Sequence, residues 1–215
     1  LSRSSSAKPS KRAAQKAETR KRLVDVAIEV FSESDYEQVA VADIAARADV
    51  AHGLLFHYFG NKRGIYLEAV RTTADQLNAA FVFRPGSTPR ELVRTALRQH
   101  LEYLREHRGL ALRLVLGGRG ADPQAWEVYE AARWTALAAF AAVMGLDRDN
   151  PALRMVGRAA VSALDESTVQ WLDNTDAFDV DHMVRWMESL IVACIQTAHV
   201  LDPGIDLDGA VALLE

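Results

Sequence analysis

The sequence predicts an all-α protein in two parts, a small helix-turn-helix module followed by a larger helical domain. Three observations carry this. Apolar residues recur at three- and four-residue spacing through almost every segment. Gly and Pro fall at segment boundaries and hardly anywhere inside them, and no alternating apolar and polar run competes as a strand. At 215 residues the chain exceeds the usual single-domain size of roughly 150 without reaching two full domains, as expected of a small module fused to a larger one.

The elements follow in order. Residues 18–33 place Leu23, Val24, Ala27, Ile28 and Phe31 on one face, and Ser34-Asp35 ends that helix. The stretch from Asp43 to Lys62, DIAARADVAHGLLFHYFGNK, then reads as part of two short helices, 41–48 and 52–59, joined by a tight turn. Ile44, Ala45 and Ala48 form one buried stripe, Val50 follows the turn, and Leu55 and Phe59 continue the stripe. His52, Gly53, Phe56 and His57 then face outward, with Leu54 and Tyr58 on the flanks. So apolar and aromatic an outward face is unusual for a surface helix and suits a reader of DNA.

Asn61 caps a long helix reaching about Phe81, and Arg84-Pro85-Gly86 breaks the chain. Thr88-Pro89-Arg90-Glu91 combines a capping box with Pro at the first helical position and starts a helix to about His107. Gly109 punctuates it, and a short helix to Leu116 ends in Gly117-Gly118. Asp122-Pro123 opens a helix to Gly145, and Asn150-Pro151 opens the next, to about Asp173. A last long helix runs from about Val180 to Val200, Pro203-Gly204 stops it, and 206–213 is at most a short terminal turn.

The helices at about 151–173 and 180–200 carry long apolar stripes: Leu153, Val156, Ala160, Leu164, Thr168 and Trp171 on one, and Met183, Met187, Leu190, Ile191, Cys194 and Ala198 on the other. Gly157, Ala160 and Ala163 are small enough to let a neighbouring helix approach closely. Part of these faces serves the chain's own core. The sharper expectation is a homodimer in which the two helices of each copy form a four-helix bundle.

The formal charge of −4 hides an asymmetry. Residues 1–22 hold eight Lys or Arg against Glu18 alone, and residues 1–66 sum to +3 while the remainder sums to −7. Basic charge directly before the helix pair predicts phosphate contacts, with residues 1–15 read as a disordered basic arm. With 49% hydrophobic and 25% charged residues the composition is that of a globular protein, and no apolar run approaches the roughly 18 residues needed to span a membrane. No secretory segment is visible, so a cytoplasmic location is expected.

Enzyme chemistry finds no support. Cys194, the only cysteine, reads as a small core residue and excludes a disulfide or a thiol pair. His100 and His107 stand seven apart, not at the three or four of a helical metal site, and read as solvated. Adjacent Asp165 and Glu166 diverge by about 100° on a helix, poor geometry for paired carboxylates. With no Gly-rich phosphate loop or nucleophile motif, no cofactor and no metal are expected.

The stretch 36–66 resembles the TetR family of bacterial transcriptional regulators. Tyr36, Ile44-Ala45, Ala48, Val50, Gly53, Leu55, Tyr58, Phe59 and Lys62 match the family's pattern in register. About 50 residues are covered; the rest agrees in length and helix count with the family's variable effector-binding domain. The resemblance implies a homodimer whose recognition helices enter successive major grooves of a palindromic double-stranded DNA operator. It implies domains at 16–62 for DNA binding and 63–215 for effector binding and dimerisation. Carried over position by position, His52, Gly53, Leu54, Phe56, His57 and Tyr58 face DNA, Lys62 holds a phosphate, and Lys16 and Arg20 add backbone contacts.

This chain departs from the pattern in several places. Ala40 and Ala51 stand where the family commonly has capping Thr and Ser, Phe56 lacks the usual phenolic oxygen, and Asp35 and Asp49 replace glycines at turns. Asp tolerates left-handed geometry better than most residues.

Similar proteins release DNA when a small molecule enters the second domain. Here the resemblance implies a repressor with a mostly apolar pocket for a lipophilic effector, and the candidate walls are Tyr103, Leu112, Leu116, Trp126, Tyr129, Trp134, Phe140, Met144 and Trp171. The alternative is a dimeric helical scaffold whose reader has degenerated.

Overall fold

The computed structural model describes residues 11–79, 86–109 and 122–214, and all regular structure among them is helical. The chain divides into two compact units, 1–72 and 73–215. This division falls inside a helix, later than the limit at residue 62 expected from the motif.

The first unit holds α1 (Lys11–Glu33), α2 (Val41–Arg47), α3 (His52–Phe59) and most of α4 (Lys62–Ala79). Leu23, Ala27, Phe31, Ile44, Leu55, Ile65 and Val70 form its dry centre. Phe31, Tyr36 and Tyr66 pack ring against ring, with centroids 4.9–6.0 Å apart.

α1 begins seven residues before the position that periodicity predicts, so residues 11–15 are helical and not part of a disordered arm. The reason is composition: KRAAQKA holds strong helix formers and no breaker, yet its side chains are exposed and carry no apolar stripe. Residues 1–10 of the expected arm lie outside the described residues. Asp49 adopts the left-handed conformation expected of it (φ 51°). Asp35 does not: its carbonyl accepts from the Gln38 and Val39 amides in a turn that needs no positive φ.

α2 and α3 start at Ala40 and Ala51 without side-chain caps. Asn61 Oδ1 does cap α4, accepting from Gly64 N at 2.8 Å. A Cβ on Gly64 would sit 1.9 Å from the Phe59 carbonyl oxygen, so α4 can lie this close to the end of α3 only over a glycine.

The second unit is built from α5 (Pro89–Glu106), α6 (Pro123–Met144), α7 (Pro151–Asp173), α8 (Val180–Gln196), α9 (Ala198–Leu201) and α10 (Asp208–Ala212). Its starts follow the predicted chemistry. Thr88 and Glu91 close a full capping box, and Asp122 and Asn150 cap α6 and α7, each with Pro at the next position. Gly145 ends α6 in the left-handed conformation (φ 67°). Asp179 caps α8 through the His182 amide.

α8 packs against α5 and α7. Leu97, Leu101, Trp171, Met183, Met187 and Ile191 lie in the shared core, which Leu207, Ala210 and Leu214 complete. The terminal segment is thus docked through α10. The helix expected to run on to Val200 is interrupted at Thr197, whose hydroxyl donates back to the Cys194 carbonyl at 2.6 Å.

Gly157 and Ala160 do not wait for a partner copy. A Cβ on Gly157 would stand 3.1 Å from Leu137 of α6, and Ala160 is buried within the unit, so the small residues admit the chain's own α6. Most of the α8 stripe is likewise consumed internally, with Met183, Met187, Ile191 and Ala198 buried. The predicted helix end at Phe81, the break at 84–85, and the short helix to Leu116 lie outside the described residues.

Candidate nucleic-acid interface and ligand-binding interior

α3 buries only Leu55 and presents His52, Gly53, Phe56 and His57 to solvent, with Leu54 and Tyr58 half-buried on the flanks. Phe56 is 43% exposed, an uncommon position for a large ring, and its ring lies 5.1 Å from that of His52. The space around Gly53 is open, since a Cβ there would meet nothing within 4 Å. The outward face therefore agrees with the sequence reading, residue by residue.

The flanking residues are more engaged. Tyr58 donates its hydroxyl to the Lys16 carbonyl at 3.3 Å, and the Lys16 ammonium lies 5.8 Å from the Tyr58 ring centroid. Tyr58 thus ties α3 to α1. Arg20 is paired with Glu68 at 2.6 Å and sits over the Phe59 ring at 5.3 Å. Lys62 donates to the Glu37 carbonyl at 3.2 Å and stands over Tyr36 at 4.6 Å. Each cation is exposed or half-buried and held by contacts that a phosphate could replace. Arg22 adds a 3.5 Å bond to the carbonyl of Asp49, bracing the strained turn.

In the second unit the aromatic candidates divide among several places. Trp134 and Phe140 line an open groove of about 560 Å³ together with Leu137, Val156, Gly157 and Ile195. Phe140 also lines a narrow, wholly apolar slot of about 100 Å³ among α5, α6, α7 and α8. Leu137, Phe140, Val156, Gly157 and Ile195 border both, so the slot opens into the groove. Trp171 and Met183 border a different cavity, of about 590 Å³, with Phe178 and Trp186. Met144 is a core residue, and the Tyr103 hydroxyl meets Thr73 Oγ1 at 3.3 Å. Leu112 and Leu116 lie outside the described residues. The walls expected to form one pocket therefore do not all converge.

Trp126 and Tyr129 belong to a feature that periodicity did not reveal. Arg133, buried on α6, is ion-paired with buried Asp165 of α7. The Tyr129 hydroxyl lies 3.2 Å from both Asp165 Oδ1 and Arg133 Nη2, and the guanidinium stacks over the Tyr129 and Trp126 rings at 4.0 and 5.3 Å. Burial, reinforced by the Asp165 carboxylate, pushes the Tyr129 phenol up, so it stays protonated. Burial opposes charge on Arg133, but Tyr129 and Asp165 more than offset it.

His100 of α5 is a correction to the sequence reading. It is half-buried, and desolvation pulls its imidazole below the ordinary value, although Asp165 acts in the other direction. It is partly withdrawn from water instead of fully solvated. The available clue was that Arg133 and Asp165 interrupt otherwise apolar stripes on two predicted helices. A second buried charge, Glu188 of α8, is held by Arg90 and Arg94 at 2.8 and 2.6 Å. Among the described residues no cluster of His, Cys, Asp and Glu suits a metal ion, and no helix is long and apolar enough to cross a membrane.

Residues 23–69 match the family model described as bacterial regulatory proteins, tetR family. The HTH-type transcriptional repressor KstR of Rhodococcus jostii is 35% identical over 82 residues, 38% of this chain and 39% of that protein. The chain thus spans about two fifths of the length of the curated relatives it matches. Solved structures reach further. A tetR-family regulator from Streptomyces coelicolor covers 92% of this chain and 87% of its own, with a TM-score of 0.77 at 20% identity. FadR of Bacillus subtilis, solved with stearoyl-CoA, covers 81% and 96% with a TM-score of 0.63, also at 20% identity. At these identities the likeness extends the fold, and the fold alone, across the second unit. The helix-turn-helix unit at the N-terminal end is thus similar to that of the tetR family of bacterial regulatory proteins.

Proposed function

We propose that this chain is a ligand-responsive transcriptional repressor that binds a palindromic operator as a homodimer and is released by a small lipophilic molecule. The observation that carries the reading is the outward face of α3, where His52, Gly53, Phe56 and His57 are exposed on a unit of the tetR family. Gly53 lets the backbone approach the duplex, Leu54 and Phe56 suit thymine methyls, and His57 and Tyr58 suit phosphates or base edges. Lys62, at the start of α4, adds a cation where the helix dipole already favours a phosphate. Lys16 and Arg20 extend the contact along α1.

Dimerisation is supported by large apolar side chains left in solvent on and beside α7–α9. Met155 is 64% exposed, Phe178 58%, Trp186 47% and Val200 84%, and a second copy would cover them. The effector side rests on the apolar slot and its groove, a shape suited to a chain-like hydrocarbon; the ligand of the FadR neighbour, stearoyl-CoA, is of that kind. Entry of such a molecule favours one arrangement of the dimer and the operator another, which is all that induction requires.

The test is selection of binding sites from random duplex DNA by the purified protein, followed by titration across salt. An enriched palindrome with half-sites about one helical turn apart is expected. Replacing Lys11, Arg12 and Lys16 by Ala should lower the salt slope by about 0.9 for each phosphate contact removed. No enriched sequence would sink the repressor and leave the helical scaffold in its place.

A further inference from the structure

Within the polar cluster of α5–α7, Arg133 has a donor to spare. The side chain is only 8% exposed. Its Nη2 serves Asp165 and the Tyr129 hydroxyl, while Nη1 has a long 3.5 Å contact with Glu130. Its Nε is buried with no hydrogen-bond partner, alone in this among the side-chain polar atoms of the described residues. Buried donors are nearly always satisfied, because leaving one unmade costs more than making it gains.

The position of this donor is informative. Contacts pair Leu137 with Gly157 and Arg133 with Asp165, so α6 runs antiparallel to α7. His100, Arg133 and Asp165 each stand about one helical turn from a residue lining the apolar slot: Leu97, Leu137 and Val161 respectively. The polar cluster therefore lies about one helical turn beyond the slot's lining on these helices, and the groove opens at residues shared with the slot.

The charges balance without a ligand. Arg133 is matched by Asp165, and Glu130 by Arg158, which reaches it at 3.0 Å. An anionic ligand at this cluster would bring a further charge beside an arginine that already has its carboxylate, at a desolvation cost that no unpaired buried cation among the described residues repays. An uncharged acceptor would satisfy Nε and leave the balance intact.

We propose that Arg133 Nε receives an uncharged carbonyl oxygen (a ketone, ester or amide) carried by an effector whose body is hydrocarbon lying in the slot. The inference rests on the reading of the second unit as the effector site and adds the polar group by which the effector is recognised.

Three probes of equal chain length test it on the full chain at neutral pH: octane, 2-octanone and octanoate, titrated by tryptophan fluorescence or calorimetry. The expected order has 2-octanone about ten- to a hundredfold tighter than octane, the worth of one bond to a charged donor, and octanoate weaker than 2-octanone. Arg133→Lys keeps a cation beside Asp165 and removes Nε; it should bring the 2-octanone to octane ratio to about one. Should that variant fold poorly, the NMR resonance of Arg133 Nε–Hε in the unaltered protein gives the same answer, moving downfield with 2-octanone and not with octane. Octanoate as the tightest ligand, or 2-octanone and octane bound equally with Hε unmoved, overturns the role of Arg133 and leaves the slot as an effector site. Absence of binding by all three to protein that still binds DNA overturns the effector reading of the slot together with the proposal.

Discussion

The two units keep their charges in opposite places. In the helix-turn-helix unit the described buried residues are all apolar or aromatic, and the ion pairs Arg20–Glu68 and Arg47–Glu33 lie at the surface. In the second unit Asp165, Arg133 and Glu188 are buried, at 7%, 8% and 5% exposure, and are held by specific partners. A domain that works through its outer face needs an interior that only holds shape, and apolar packing does this at least cost. Ionised groups inside a domain are expensive and stabilise it little compared with a hydrophobic replacement. Their presence in the second unit is what the proposed effector site would account for, and apolar cohesion alone would not.

The comparison breaks most visibly at Asp165. Asp165→Ala leaves the buried guanidinium of Arg133 without its counter-charge and should cost about 4 kcal/mol in denaturant unfolding of the second unit. A loss below about 1 kcal/mol would mean that Arg133 escapes to water and that the pair is not an interior feature. In the helix-turn-helix unit the largest effect comes from shape, not charge. Gly64→Ala drives a methyl into the Phe59 carbonyl and should cost about 3 kcal/mol, with operator binding lost as α3 is displaced.

Glu188 sharpens the contrast through pH. Burial pushes its carboxyl up, but bonds from Arg94 and Arg90 outweigh this and hold it below its ordinary value of 4.5. A depressed carboxylate contributes stability that is fully present above 4.5 and is lost as pH falls through the folded value. Glu188→Gln should therefore cost about 2 kcal/mol at neutral pH, with the difference from wild type closing in acid. A constant gap down to strong acid would show that the glutamine disturbs packing instead.

How far the sequence discloses these features depends on their range. The caps at Thr88, Asp122 and Asn150, and the outward face of α3, are local: each needs only residues within a turn or two, and each is found where the sequence places it. Periodicity also gives every described helix of more than a few residues except the first seven residues of α1, where propensity acts without an apolar stripe. The interior of the second unit depends on pairs far apart in sequence. Arg133 meets Asp165 32 residues away, and Arg94 meets Glu188 94 residues away. No spacing rule links such positions. For the same reason the aromatic stripes of α6 and α7 cannot disclose which face meets the slot, and Trp134, Trp171 and Met144 part company in space.

The missing caps offer a gain in the other direction. Ala51 already has the extended conformation of a helix cap (φ −63°, ψ 133°). Ala51→Ser should therefore stabilise the helix-turn-helix unit by about 1 kcal/mol, measured as a higher denaturation midpoint with an unchanged slope. A neutral result would show that the amides at the start of α3 are as well served by water.

The smallest effect on stability tests the surface charges most directly. Glu68 holds Arg20 at 2.6 Å, with side chains 23% and 44% exposed, so breaking the pair should cost less than about 1 kcal/mol. Its effect on DNA should be larger than its effect on folding. If Arg20 serves phosphate, Glu68→Ala removes a competitor for the guanidinium, and affinity for operator and for random duplex should rise together with a salt slope steeper by up to about 0.9. Arg20→Ala should do the reverse. Equal DNA affinities in both variants and the parent would confine Arg20 to its pairing with Glu68 and its place over Phe59. Phosphate contact would then fall to Lys16 and Lys62, and the surface charge of this unit, like the interior charge of the other, would be partly structural.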